Sequence, residues 1–165
     1  MFTAAAKESS RVPTIGDRAP SFTTTFDSAQ AVSQESLKEK NVVLYFYPKD
    51  DTPGCTIEAK DFRDHIRDFN KANTVIIGVS RDSVVSHDKF KAKFCLPFPL
   101  ASDADGSVCQ DYGVWVKKSM YGKEYMGIER STFLIDAKGI IRQIWRKVSV
   151  DGHVKAVLAA AQELG

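Results

Sequence analysis

No stretch of this 165-residue chain approaches the roughly 20 consecutive apolar residues of a membrane span. Residues 1–11 carry Lys7 and Arg11 among Ala, Ser and Thr but no apolar run of the kind a secretory signal needs, so residues 1–12 read as a flexible tail. An excess of one charge is also missing. Lys and Arg number 23 against 21 Asp and Glu, interleaved, for a net charge of +2. Binding to nucleic acid wants a concentrated basic face, and the short clusters at Lys38–Lys40 and Lys117–Lys118 do not make one. The expectation is no nucleic acid and no membrane partner. Cysteine is scarce: Cys55, Cys95 and Cys109 are an odd number without a spacing framework. That excludes a disulfide-stapled secreted domain and points to a reducing compartment, by default the cytoplasm. No cysteine stands at metal-ligand spacing from His65, His87 or His153, and no Gly-rich phosphate loop occurs, so neither a metal nor another cofactor is implied.

What remains is a globular composition, 43% apolar and 27% charged, with no repeat and no break after residue 12. A single domain over residues 13–165 is expected. Val42–Tyr47 is a continuous β-prone run, as in a strand buried on both faces. Cys55, Ala59, Phe62, Ile66 and Phe69 then follow steps of four and three along one helix face. Thr74–Ser80 reads as a second buried strand, and a helix from Ser83 shares Val84, His87, Phe90 and Phe94 on one side. A short strand is expected near Phe98–Ser102, and a brief helix capped by Ser107 through Tyr112. Two strands, Ser131–Ile135 and Ile140–Trp145, flank the turn Asp136–Gly139. Val154, Val157, Leu158, Ala161 and Leu164 mark a closing helix, Ser21–Phe26 an early strand, and Gln34–Lys38 a short helical turn. This order gives an α/β fold, a central mixed sheet with helices on both faces, with Cys55 on a loop at the sheet's C-terminal edge.

That position carries chemistry. In Pro48-Lys49-Asp50-Asp51-Thr52-Pro53-Gly54-Cys55 the thiol falls in the first turn of a helix, where unpaired N–H groups and the dipole favour a thiolate. Pro53 and Gly54 make the turn, Pro48 can wall a pocket without offering an N–H, and Thr52 has a hydroxyl able to donate to sulfur or to an incoming oxygen. Glu58, one turn on, could orient an arginine. Blander readings exist for each: Cys55 as a buried structural thiol, the prolines as loop punctuation, Thr52 as a helix cap, Glu58 as an ordinary first-turn acid.

The run Phe46–Thr56, with Glu58 and Asp61-Phe62-Arg63, resembles the signature of the peroxiredoxins, and within them the Q type (bacterioferritin comigratory protein group). Gly16–Phe22, Pro97–Asp103, Tyr112–Trp115 and Arg130–Asp136 extend the resemblance over residues 13–164. It implies a thioredoxin-like fold and thiol-dependent reduction of hydrogen peroxide or organic hydroperoxides through a sulfenic acid on Cys55. Arg130 matches the arginine that joins Pro48, Thr52 and Cys55 in that family; otherwise it would read as a surface partner for Glu129 or Asp136. Ionising a thiol of pKa about 8.5 gains only about 30-fold near neutrality, roughly 2 kcal/mol. Enzymes commonly supply about 8 kcal/mol or more, so the larger share must come from holding the peroxide and stabilising the departing oxygen.

The chain departs from a common Q-type pattern at the resetting step. Lys60 and Lys91 stand where relatives place a second cysteine, while Cys95 lies one turn past Lys91. A one-cysteine cycle with an external reductant (thioredoxin, glutaredoxin or a low-molecular-weight thiol) is the favoured reading, with a Cys55–Cys95 disulfide cycle beside it. Cys109 reads as a buried apolar residue. A monomer is expected. Two rivals are a thiol–disulfide exchange protein, which would want Cys-x-x-Cys where this chain has Cys55-Thr56-Ile57-Glu58, and a non-enzymatic redox sensor or holdase. Simple sensing has no need of Thr52 and Arg130.

Overall fold

The apolar run at Val42–Tyr47 forms the middle of the molecule. The computed structural model describes residues 12–21, 25–27, 37 and 39–164. Its elements are β1 (Thr25–Phe26), β2 (Asn41–Phe46), α1 (Pro53–Asp64), α2 (Ile66–Lys71), β3 (Thr74–Ser80), α3 (Val84–Phe94), β4 (Leu100–Ser102), α4 (Ser107–Asp111), β5 (Trp115–Met120), β6 (Lys123–Ile128), β7 (Ser131–Ile135), β8 (Ile141–Trp145) and α5 (His153–Leu164). The tail expected over residues 1–12 lies outside the described residues except for Val12. So do residues 22–24 of the early strand and all of the 34–38 turn except Leu37.

Six strands form one sheet in the order β1-β4-β3-β2-β7-β8. β2, β3 and β4 run parallel, while β1, β7 and β8 pair antiparallel, so the sheet is mixed. Every residue of β2 is buried, which is why its sequence shows no alternation. Val43, Tyr45 and Tyr47 share one core with Phe62 of α1, Phe69 of α2, Phe90 of α3 and Val157 of α5. Val42, Leu44 and Phe46 share the other with Val108 and Cys109 of α4, Val114 and Phe133. Among the described residues helices therefore cover both faces, four on the first and the short α4 on the second. No helix among the described residues is long and apolar enough to cross a membrane.

Two local expectations need correction, and one element was not expected. The periodic face from Cys55 to Phe69 belongs to two helices. The His65 ring nitrogen lies 2.9 Å from the Asp61 carbonyl, which an unbroken helix would give to the His65 N–H, and that N–H turns to the Phe62 carbonyl instead. Ser107 is not the cap of α4: the N-cap is Gly106, and the Asp103 carboxylate accepts from the N–H groups of Val108 and Cys109 at 3.1 and 2.8 Å. Finally, β5 and β6 form a separate two-stranded hairpin, turned by Tyr121 and Gly122 with φ of 53° and 79°. Two successive positive φ values are the mark of a type I′ turn.

Candidate active site

Sheet register sets the site. Phe46, the last residue of β2, pairs with Ser131, the first of β7, so Arg130 sits just ahead of β7 at the C-terminal end of β2. The chain leaves β2 at that end, loops through Pro48–Thr52 and enters α1 with Pro53 in its first turn. The first helical bond runs from Thr56 N–H to the Thr52 carbonyl at 2.8 Å. The N–H groups of Gly54 and Cys55 are left with no acceptor inside the helix, beside the sulfur.

Arg130 spans the rest. Its Nη2 donates to Cys55 Sγ at 3.4 Å and its Nη1 to Glu58 Oε1 at 2.7 Å. Glu58 follows Cys55 by three residues, so both side chains leave α1 on the same side. Glu58 is fully buried, and burial pushes its carboxyl up to about 7 although the guanidinium pulls the other way. Burial opposes the charge on Arg130, but the Glu58 and Cys55 side chains outweigh it and raise the guanidinium above its ordinary range. Gly54 makes this approach feasible. A Cβ there would stand 3.1 Å from Arg130 Nη2, so Gly54→Ala is expected to push the guanidinium off the sulfur and slow peroxide oxidation of Cys55 about tenfold without loss of α1. Stopped-flow rates beside helical circular dichroism check it; an unchanged rate would mean that the guanidinium gives way freely.

Two expectations fare differently. Cys55, placed by sequence on a loop at the sheet edge where a reactive thiol would be expected to be open to solvent, is instead 1% exposed and belongs to the inner core cluster. It packs there because α1 turns its apolar face inward from the first turn. Thr52 is half-buried at the N-cap, but its hydroxyl donates to the Lys49 carbonyl at 2.9 Å and neither caps the helix nor bonds the sulfur. Pro48 is exposed and walls an open groove of about 340 Å³ lined by Arg81, Trp115, Lys118, Tyr125 and Ile128. Cys95 is exposed at the end of α3 in a left-handed conformation, and Cys109 is buried. Burial and the Asp103 carboxylate push the Cys109 thiol far above its usual range.

Sequence reasoning missed the floor of the site. His153 Nε2 and Thr132 Oγ1 are hydrogen-bonded at 2.8 Å, and His153 Nε2 lies 3.9 Å from Glu58 Oε2. Burial and then Arg130 lower the imidazole to about 4, so it is neutral near pH 7 and makes no ion pair with Glu58. Tyr45 Oη and Glu58 Oε2 are buried without a hydrogen-bond partner among the described residues. Nothing in the spacing of residues 45, 58, 132 and 153 could have joined them.

A buried thiol at a helix N-terminus with a bridging arginine is the geometry; its relatives name it. Residues 15–144 match the model of the AhpC/TSA family. The chain is 49% identical over 150 residues to peroxiredoxin Bcp of Bacillus subtilis, covering 91% of this chain and 96% of that one. It belongs to the peroxiredoxins, in the Q (Bcp) group. Among solved structures, a Xylella fastidiosa peroxiredoxin Q variant superposes with a TM-score of 0.85 at 39% identity, covering 91% of this chain and 96% of that one. A Xanthomonas campestris bacterioferritin comigratory protein, described for its alkyl peroxide reduction activity, gives 0.80 at 47% identity, covering 85% and 89%. The fold is thioredoxin-like, and this peroxiredoxin is a thiol-dependent peroxidase.

Proposed function

We propose that Cys55 is the peroxidatic nucleophile and that Arg130, Thr52, Pro48, Gly54 and Glu58 build its pocket. The observation that carries the reading is the single guanidinium shared between Cys55 Sγ and the buried Glu58. The Cys55 thiol gives its proton to solvent, the thiolate attacks the hydroxyl oxygen of R–O–O–H, an S–O bond forms as the O–O bond breaks, and RO⁻ takes a proton back from solvent to leave as water or an alcohol. Cys55 is left as sulfenic acid, the first reversible rung of thiol oxidation. Arg130 and the Gly54 and Cys55 N–H groups stabilise the departing charge. Thr52, whose own proton is committed to Lys49, offers lone pairs to the peroxide O–H.

Hydrogen peroxide and organic hydroperoxides are the substrates. The groove beside Pro48, with Trp115, Tyr125 and Ile128 in its wall, gives an organic substituent room, in keeping with the alkyl peroxide reduction described for the Xanthomonas relative. An external thiol (thioredoxin, glutaredoxin or a small thiol) condenses with the sulfenic acid, releasing water, and a second thiol frees Cys55. The enzyme acts as a cytoplasmic monomer.

The one-cysteine cycle is favoured because the end of α3 that carries Cys95 is tied to α1 at a residue well past Cys55. Arg63 Nη1 donates to the carbonyl of Phe94, next to Cys95, at 2.9 Å, and Arg63 follows Cys55 by eight residues, about 12 Å of helix. A Cys55–Cys95 bond would need the start of α1 to unwind or the end of α3 to move. Cys55→Ser is expected to abolish peroxide consumption, while Cys109→Ser leaves the first oxidation nearly intact. Mass mapping after one equivalent of peroxide separates the cycles: a trappable sulfenate on Cys55 supports the one-cysteine route, and a Cys55–Cys95 link replaces it. Stoichiometric peroxide reduction by Cys55→Ser would overturn the assignment altogether.

A further inference from the structure

Between Pro48 and Thr52 the loop buries a carboxylate that the peroxide chemistry does not use. Asp50 accepts from the Tyr47 hydroxyl at 2.6 Å and the Ser86 hydroxyl at 2.7 Å, and His87 Nδ1 stands 2.7 Å away. Its N–H donates to Asp82 at 2.8 Å, and Asp82 is in turn held by the Ser80 hydroxyl at 2.7 Å. His87 is fully buried on α3, with Nε2 3.0 Å from the Ala101 carbonyl. Both ring nitrogens thus face acceptors, a demand that the imidazolium meets and the neutral ring, with one proton, does not. Burial works against a charged ring, but the Asp50 hydrogen bond and charge, with Asp82 behind them, hold it above the usual imidazole range. Asp50, Asp82 and Tyr47 are the titratable groups facing the ring, Tyr47 Oη at 3.5 Å.

Asp50, Asp82 and His87 are close enough to suggest a metal site, but their ligand atoms are already engaged with one another and with neighbouring donors and acceptors. What they join is two elements. Asp51 adds an exposed pair with Lys93 at 2.8 Å to the same helix, of the kind that contributes little. Asp51 itself has a φ of 58°, so the loop is bent into a shape that its surroundings must hold.

We propose that His87 is a positioning residue for the peroxidatic loop: its buried pair with Asp50 fastens the Pro48–Thr52 segment to α3, and loss of the imidazolium proton or of either partner lets the segment move. The inference rests on the roles given above to Pro48, Thr52 and Cys55. Because α3 ends at Cys95, the same fastening fixes that thiol relative to the loop.

The test takes the full chain, His87→Gln, Asp50→Asn and the double variant His87→Leu with Asp50→Ala, which removes both charges and leaves neither unpaired. Three readouts are taken: ¹⁵N shifts of the His87 ring in the unaltered protein, hydrogen exchange at the amides of residues 49–52, and the rate of trapped sulfenate formation on Cys55 with hydrogen peroxide from pH 6 to 9. Both His87 nitrogens are expected to carry protons near neutrality. The variants should exchange the Asp50 amide faster and form sulfenate about tenfold more slowly, and His87→Gln should lose the decline that the unaltered protein shows as His87 deprotonates. A neutral ring at pH 6, or a double variant with unaltered exchange and rate, overturns the proposal. Should the single variants not fold, the unaltered protein decides: ring deprotonation without faster loop exchange overturns it. Oxidation of Cys55 no faster than that of free cysteine would count against the peroxidatic assignment instead, leaving the shifts and the exchange to judge the fastening.

Discussion

Arg130→Lys is expected to slow peroxide oxidation of Cys55 by about 10²- to 10³-fold, the usual loss when one donor to a developing oxyanion is removed. Lysine keeps the positive charge, so the experiment separates charge from shape. The guanidinium reaches Cys55 Sγ with one nitrogen and Glu58 with the other, at 3.4 and 2.7 Å. An ammonium is a compact point charge on a flexible stem and cannot serve both from one rigid plane. It would settle on the carboxylate, the stronger acceptor, and leave the sulfur. Stopped-flow oxidation over a series of peroxide concentrations reads the loss as a fall in second-order rate constant. A loss below about tenfold would mean that charge alone suffices.

Glu58→Gln is expected to change how stability depends on pH. Burial holds the Glu58 carboxyl up to about 7, against an ordinary 4.5. A raised folded value means that Glu58's contribution is complete below pH 4.5 and is lost as pH rises through 7. The difference in unfolding free energy between Glu58→Gln and the parent should therefore grow, in favour of the variant, by about 3 kcal/mol from pH 4.5 to 8.5. Parallel urea titrations across that range measure it, and parallel curves for the two proteins would show that Glu58 is not held near 7. Catalysis should move the other way. The parent's peroxide rate should rise through an inflection near pH 7, as the carboxylate forms and anchors Arg130, separately from the decline linked to His87, and Glu58→Gln should lack the rise while keeping the decline.

Some of this was legible in the chain and some was not, for identifiable reasons. β2, β3 and the inward face of α1 were plain because burial on both sides, or on one helical stripe, writes itself into composition. The β5–β6 hairpin was missed because most of its residues are exposed and its turn uses Tyr121-Gly122 where Asn-Gly would have announced it. Cys55, Thr52 and Pro48 lie within eight residues and could be read together. Arg130 came only through the family resemblance, since its approach to Cys55 depends on the pairing of β2 with β7, 75 residues away in the chain. Thr52 shows the opposite limit. Its place in the loop was readable, but the direction of its hydroxyl, toward Lys49, is a matter of local backbone that no residue pattern encodes.

The unequal exposure of the three sulfurs makes the molecule its own probe. Cys95 stands in solvent, while Cys55 and Cys109 are sealed in separate cores on opposite faces of the sheet. A bulky alkylating reagent added without peroxide will therefore label position 95 at once and position 109 only on global unfolding. Label arriving at position 55 between those two times counts the openings of the α1 entrance, and gives the frequency of that motion with no engineered tag.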